Sequence, residues 1–128
     1  MASHVRIGIA GLGTVGAGVL KIIKAHGDLL EARSGAHLVV TAVSGRDRTK
    51  DRGVSLDGVK WYDDARDLAD DPDVDIVLEL IGGSNGVARE LCEKSLAKGK
   101  PVVTANKALL AEHGNALAHL AEENNAPL

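Results

Sequence analysis

Phenylalanine is missing from this 128-residue chain, and aromatic residues make up only 2% of it. Its core must therefore be aliphatic, built from Val, Leu, Ile and Ala. Cysteine occurs once, at Cys92. A lone cysteine excludes an intrachain disulfide and suits a reducing compartment. In its helical setting Cys92 reads as a small apolar residue. No apolar run approaches the ~18 residues of a membrane span. The opening MASHVRIGIAG shows no apolar h-region before a cleavage site and enters a strand directly. Cytoplasm is the expected location. Nor is there a long basic run, and the net charge is −3. That argues against a nucleic-acid partner held through its phosphates.

What is present is ordinary for a globular domain: 45% hydrophobic and 26% charged residues. The 15 glycines are abundant but cluster in motifs. Apolar, β-rich runs at 5–10, 37–43, 74–81 and 102–104 alternate with helical patterns. A helix follows the first run, and residues 28–36 extend or follow it. Residues 44–53 form a polar loop, with a weak strand near 59–61. DDARDLADD reads as a short acidic helix ended by Pro72. A helix over 87–98 is closed by Gly99 as a C′ glycine. The last helix spans 106–124, with a disturbance expected near Gly114. The strands are apolar on both faces. The fold expected is α/β: a Rossmann-type, doubly wound, mostly parallel sheet with helices on both faces.

Gly11-Leu12-Gly13-Thr14-Val15-Gly16 matches G-x-G-x-x-G, with a strand before it and a helix after. Each glycine has a task. Gly11 allows the tight turn, Gly13 lets backbone approach a pyrophosphate, and Gly16 permits close helix packing. Free N–H groups and the positive helix end then face the phosphates. The expected cofactor is a dinucleotide.

The second strand end should identify which one. NAD-binding versions carry Asp or Glu there to bond the ribose 2′-OH. Here the strand runs into Ser44-Gly45-Arg46-Asp47-Arg48, with Lys50 behind. Arg46 can meet a 2′-phosphate through planar, charge-assisted bonds, with Lys50 as a second cation. The reading leans toward NADP, and Asp47 keeps NAD as the alternative.

Ligands of such sheets lie beyond the carboxyl ends of the strands. VLELIGG places Gly82 and Gly83 at one end, where backbone could lie against a flat nicotinamide ring. VVTANK places Thr104, Asn106 and Lys107 at the next. Thr104 and Asn106 offer hydrogen-bonding groups there. Lys107 could bind a substrate oxygen or carry a proton. A cation in a first helical turn opposes the helix dipole, which hints at function. Glu79, inside an apolar strand, either reaches the strand end or marks its fraying. The histidines show no metal-ligand grouping, so no metal site is expected.

RIGIAGLGTVGAGV, DIVLELIGG and GKPVVTANKALLAEHG together resemble the cofactor-binding half of homoserine dehydrogenase. GLGTVG is common to many dehydrogenases, whereas ELIGG followed by VVTANKALLA is much more specific. The resemblance covers nearly the whole chain. It implies an oxidoreductase that interconverts L-aspartate 4-semialdehyde and L-homoserine by hydride transfer, on the route to threonine and methionine. By position, Gly11, Gly13, Gly16 and the neighbouring Thr14 and Val15 would hold the pyrophosphate. Arg46 and Lys50 would face the adenosine 2′ position. Gly82, Gly83, Thr104 and Asn106 would line the nicotinamide side. Lys107 would match the family's catalytic lysine.

On this reading residues 1–128 form one dinucleotide-binding domain. The family's following domain is absent; it supplies most substrate contacts and the main dimer interface. The chain alone is expected to bind cofactor with little or no turnover, and to form homo-oligomers only with that domain. Two alternatives fit the half-fold: another two-domain dehydrogenase such as aspartate dehydrogenase or an inositol-type oxidoreductase, and a nucleotide-sensing module without chemistry.

Overall fold

The computed structural model describes residues 3–46, 55–81 and 86–128. The chain begins with strand β1 (Ser3–Ala10), helices α1 (Thr14–Ala25) and α2 (Gly27–Ser34), and strand β2 (Ala36–Ser44). Strand β3 (Lys60–Tyr62), a 3₁₀ helix (Ala65–Asp70) and strand β4 (Ile76–Glu79) follow. Helix α3 (Val87–Ala97), strand β5 (Val102–Thr104) and helix α4 (Lys107–Glu123) complete it. The strands form one five-stranded sheet in the order β3-β2-β1-β4-β5. Every pairing is parallel. The first strand therefore lies at the centre. The chain builds outward from it to one side and then to the other, which opens a crevice at the carboxyl ends.

Alternation along β1 explains how both faces are covered. Ile7 and Ile9 join Leu12, Leu20 and Val43 in an aliphatic cluster beneath α1. Ala10 joins Val77, Leu91, Leu96, Val102, Leu109 and Leu117 in a second cluster beneath α3 and α4. Cys92 is buried in this second cluster. Burial, and then the nearby Glu79 carboxylate, push its thiol up to about 12, which leaves it inert at neutral pH. Trp61 packs against the first cluster, and its indole N–H donates to Asp63 at 2.9 Å.

Several boundaries differ from the sequence expectation. The acidic segment is a 3₁₀ helix, capped by Asp64 accepting from the Arg66 N–H at 3.0 Å. It buries Ala65, Leu68 and Ala69, which is as much apolar surface as its short sequence offers. The fourth strand is limited to Ile76–Glu79. Its neighbour Asp75 instead holds Arg6 through paired bonds of 3.0 Å.

The disturbance expected at Gly114 is absent, because α4 runs unbroken from Lys107 to Glu123. An interior glycine costs roughly 1 kcal/mol relative to alanine. Burial of Leu109, Leu117 and Ala121 along one stripe of α4 outweighs that penalty. Helix α3 ends as its sequence indicates. Gly99 adopts φ +77, its N–H donates to the Leu96 carbonyl, and the Lys100 N–H donates to Ser95. That pair of bonds is the Schellman arrangement.

Candidate functional site

The glycine turn joins β1 to α1 at the carboxyl end of the central strand. Gly11 has φ +97, a conformation that side chains rarely adopt, and an added Cβ would lie 2.8 Å from the Leu80 backbone. Its N–H donates to the Ser44 carbonyl at 2.9 Å, tying the turn to the end of β2. Gly16 is packed still more closely, since a Cβ there would lie 1.9 Å from the Gly11 carbonyl oxygen. Gly13 is different: a Cβ there would meet no described atom within 4 Å. It faces open space, so packing within the protein does not demand a glycine. The space it faces is free to admit a ligand.

That space is a cleft of about 790 Å³, lined by Gly11, Leu12, Gly13, Ser44, Gly45, Arg46, Asp63, Asp64, Arg66, Leu80 and Ile81 among others. Its volume is suited to a large small-molecule ligand. Gly13 also caps α1, whose opening sequence Thr14-Val15-Gly16-Ala17 carries no acid. The first N–H groups of a helix have no intrahelical carbonyl to reach, and an anion can take them. These features fit a dinucleotide: a turn pinned by Gly11 and Gly16, room for backbone approach at Gly13, and a helix N-terminus beside the cleft.

The other expected residues fall in distinct places. Arg46 is exposed and lines the cleft at the end of β2. Thr14 and Val15 are exposed in the first turn of α1. Lys50, Asp47, Gly82 and Gly83 lie outside the described residues. Thr104, Asn106 and Lys107 stand one strand beyond the cleft, at the end of β5. Lys107 is the exposed first residue of α4.

At the β5 end the side-chain oxygens have internal work. The Thr104 hydroxyl donates to Glu79 Oε2 at 2.7 Å and accepts from the Asn106 N–H at 3.0 Å. Asn106 is the N-cap of α4, and its Oδ1 accepts from the Leu109 N–H at 3.0 Å. Glu79 neither frays nor meets solvent. It is fully buried at the end of β4, where its Oε1 accepts from the Ile81 N–H at 2.7 Å. Sequence reasoning gave Asn106 a ligand-facing role; its capping geometry was legible in the Asn-x-x pattern before an apolar helix.

Sequence reasoning missed the third wall of the cleft. Asp63, Asp64 and Arg66 enter it from the carboxyl end of β3. Arg66 donates to Asp64 at 2.7–3.1 Å and to Glu90 of α3 at 2.8 Å. Those charge-assisted bonds hold the Asp64 carboxyl down at about 2 and raise Arg66 above its ordinary range. The available signal was topological: a strand adjacent to β2 must deliver its end to the same edge. Among the described residues no group of three or more His, Cys, Asp or Glu is placed to hold a metal. None of their helices is long and apolar enough to cross a membrane.

Comparison with known proteins identifies the family and the fold. The family model for the homoserine dehydrogenase NAD-binding domain matches residues 11–128. Homoserine dehydrogenase of Bacillus subtilis (strain 168) is 41% identical over 124 residues, covering 97% of this chain and 28% of that protein. The Corynebacterium glutamicum enzyme is 42% identical over 127 residues, covering 98% of this chain and 28% of its own. The crystal structure of S. aureus homoserine dehydrogenase at pH 6.5 superposes with a TM-score of 0.89 at 33% identity. It matches 100% of this chain with 32% of its own. The chain thus spans less than a third of the length of these relatives.

Proposed function

This chain belongs to the homoserine dehydrogenase family and corresponds to its NAD-binding domain; from that premise we propose that it binds NADP(H) in preference to NAD(H). We propose further that it does so within a protein that interconverts L-aspartate 4-semialdehyde and L-homoserine. The observation that carries the binding reading is the contrast between Gly16, where a Cβ is excluded by protein, and Gly13, where a Cβ would stand in empty cleft.

The residues divide the work by position. Gly11 shapes the turn and Gly13 leaves room for the pyrophosphate, and the first N–H groups of α1 would donate to it, with Thr14 and Val15 flanking. Arg46 at the end of β2 supports the NADP preference: a guanidinium pairs two oxygens of a 2′-phosphate, which a ribose hydroxyl cannot match. Lys50 would add a second cation. Gly82 and Gly83, with the Thr104 and Asn106 backbone, would border the nicotinamide. A bound nicotinamide supplies or accepts the hydride. Lys107 Nζ would hold a proton at the substrate carbonyl oxygen as that oxygen gains alkoxide character. The rest of the substrate site and the homo-oligomer contacts would lie in a further domain of the complete enzyme, working in the cytoplasm.

Calorimetric titration of this chain with NADPH and, separately, NADH tests the binding half. Tighter NADPH binding is expected. Absence of binding by either would remove the dinucleotide reading, and tighter NADH binding would reverse the preference. For the catalytic half, the protein that contains this domain should oxidise homoserine and lose turnover on Lys107→Ala. Retained turnover in that variant would overturn the role given to Lys107.

A further inference from the structure

Along β4, Val77 and Glu79 fall on the same face, and both are fully buried. Val77 belongs to the aliphatic cluster with Leu91, Cys92 and Leu109. The pattern calls for another aliphatic side chain at position 79. A buried carboxylate costs several kcal/mol of desolvation unless hydrogen bonds offset it.

The bonds at Glu79 run in two directions. Oε1 accepts from the Ile81 N–H, just past the end of β4, and Oε2 accepts from the Thr104 hydroxyl. Thr104 Oγ1 thus accepts from the Asn106 N–H on one side and donates its proton to Glu79 on the other. Asn106 then caps α4 through Leu109. One relay of hydrogen bonds therefore links the exit of β4 to the first turn of α4, where Lys107 stands. Glu79 must accept at both oxygens, which a carboxylate does and an amide cannot.

We propose that Glu79 is a positioning residue for the nicotinamide half of the site. Acting through Ile81 and Thr104, it sets the spacing between the β4 exit and the β5–α4 junction, the two walls that flank the ring and present Lys107. The inference rests on the reading of the adjoining cleft as a dinucleotide site.

The test compares two ligands on the 128-residue chain. One is the reduced dinucleotide that binds wild type tighter, NADPH or NADH. The other is its ADP-ribose portion, with or without the 2′-phosphate to match. Thr104→Val removes the hydroxyl at nearly constant volume, and Glu79→Gln places a donor where an acceptor is required. Each should weaken the whole dinucleotide about tenfold, the equivalent of one lost buried hydrogen bond. ADP-ribose affinity should stay within about twofold, which also reports that the variant is folded. Thr104→Ser should restore dinucleotide affinity, and nicotinamide fluorescence on binding should follow the same order. Parallel loss of both ligands would make Glu79 a plain structural residue and overturn the proposal. Unchanged dinucleotide affinity would overturn it equally. Wild type that binds neither ligand would remove the dinucleotide reading, and the proposal with it.

Discussion

A Cβ placed on Gly16 would lie 1.9 Å from the carbonyl oxygen of Gly11. The first helix can approach the turn only because both positions are bare, so Gly16→Ala must move backbone against backbone. We expect it to cost about 3 kcal/mol of stability, at the upper end of overpacking penalties. Gly13→Ala has no such conflict, and its φ of −79 is open to any residue. It should change stability by less than ~1 kcal/mol, the scale of an N-cap substitution. Yet its methyl group would occupy the cleft and weaken dinucleotide binding at least tenfold. Thermal denaturation and ligand titration of both variants separate the two effects. Equal destabilisation by the two alanines would contradict this division of roles.

Arg46 gives a selectivity prediction. It is exposed at the cleft edge, so its removal leaves no buried group unpaired. Charge-assisted hydrogen bonds are worth about 1.5–3 kcal/mol, or roughly ten- to a hundredfold in affinity. Arg46→Ala should lose that much for NADPH and change NADH affinity by less than about threefold. Arg46→Lys should recover only part, because an ammonium cannot pair two phosphate oxygens in one plane. Equal losses for the two dinucleotides would show that the arginine does not read the 2′ position.

The acid response follows from two carboxylates. Arg66 holds Asp64, and Lys94 and Lys98 hold Asp70, each down at about 2 from an ordinary 3.8. In the folded chain these groups therefore bind fewer protons than in the unfolded chain between those values. Their stabilisation is fully present above about pH 4 and is lost as pH falls toward about 2. Both side chains are more than a third exposed, so solvent screening keeps the effect small. Asp64→Asn retains an oxygen for the Arg66 N–H but loses the charge. Denaturation followed through that window should show a shallower acid decline in the variant. An identical slope would mean the Arg66 pair adds nothing to folding.

The parts of this architecture that follow local rules were readable from residues alone. Alternating apolar runs and helical patterns gave the α/β class. Gly11, Gly13 and Gly16 marked the turn, and Gly99 marked the end of α3. What escaped depends on contacts between distant segments. Nothing local makes Asp63, Asp64 and Arg66 a wall of the cleft; the pairing of β3 with β2 does that. Nothing local distinguishes Glu79 at a strand end from Glu79 as a buried acceptor, since its partner Thr104 is 25 residues away. Gly114 misled for the opposite reason: a local penalty was overridden by the buried stripe on α4.

Lys107 allows stability and function to be set against each other. It is the first residue of α4, directly after the Asn106 cap, and it is exposed. The helix dipole places partial positive charge there, which disfavours a cation by about 0.3–1 kcal/mol. Alanine is also the better helix former. Lys107→Ala should therefore raise the stability of the isolated chain by a few tenths of a kcal/mol. Asn106→Ala, which removes the cap from the Leu109 N–H, should lower it by about 1 kcal/mol. Dinucleotide affinity should barely respond to Lys107→Ala, because the side chain is assigned to the substrate oxygen and not to the cofactor. Those two outcomes for Lys107→Ala, together with lost turnover in the protein that contains this domain, are what the proposed catalytic role of Lys107 requires. Urea denaturation of the two variants provides the check. A loss of 1 kcal/mol or more on Lys107→Ala would show instead that the lysine has a structural partner at this junction.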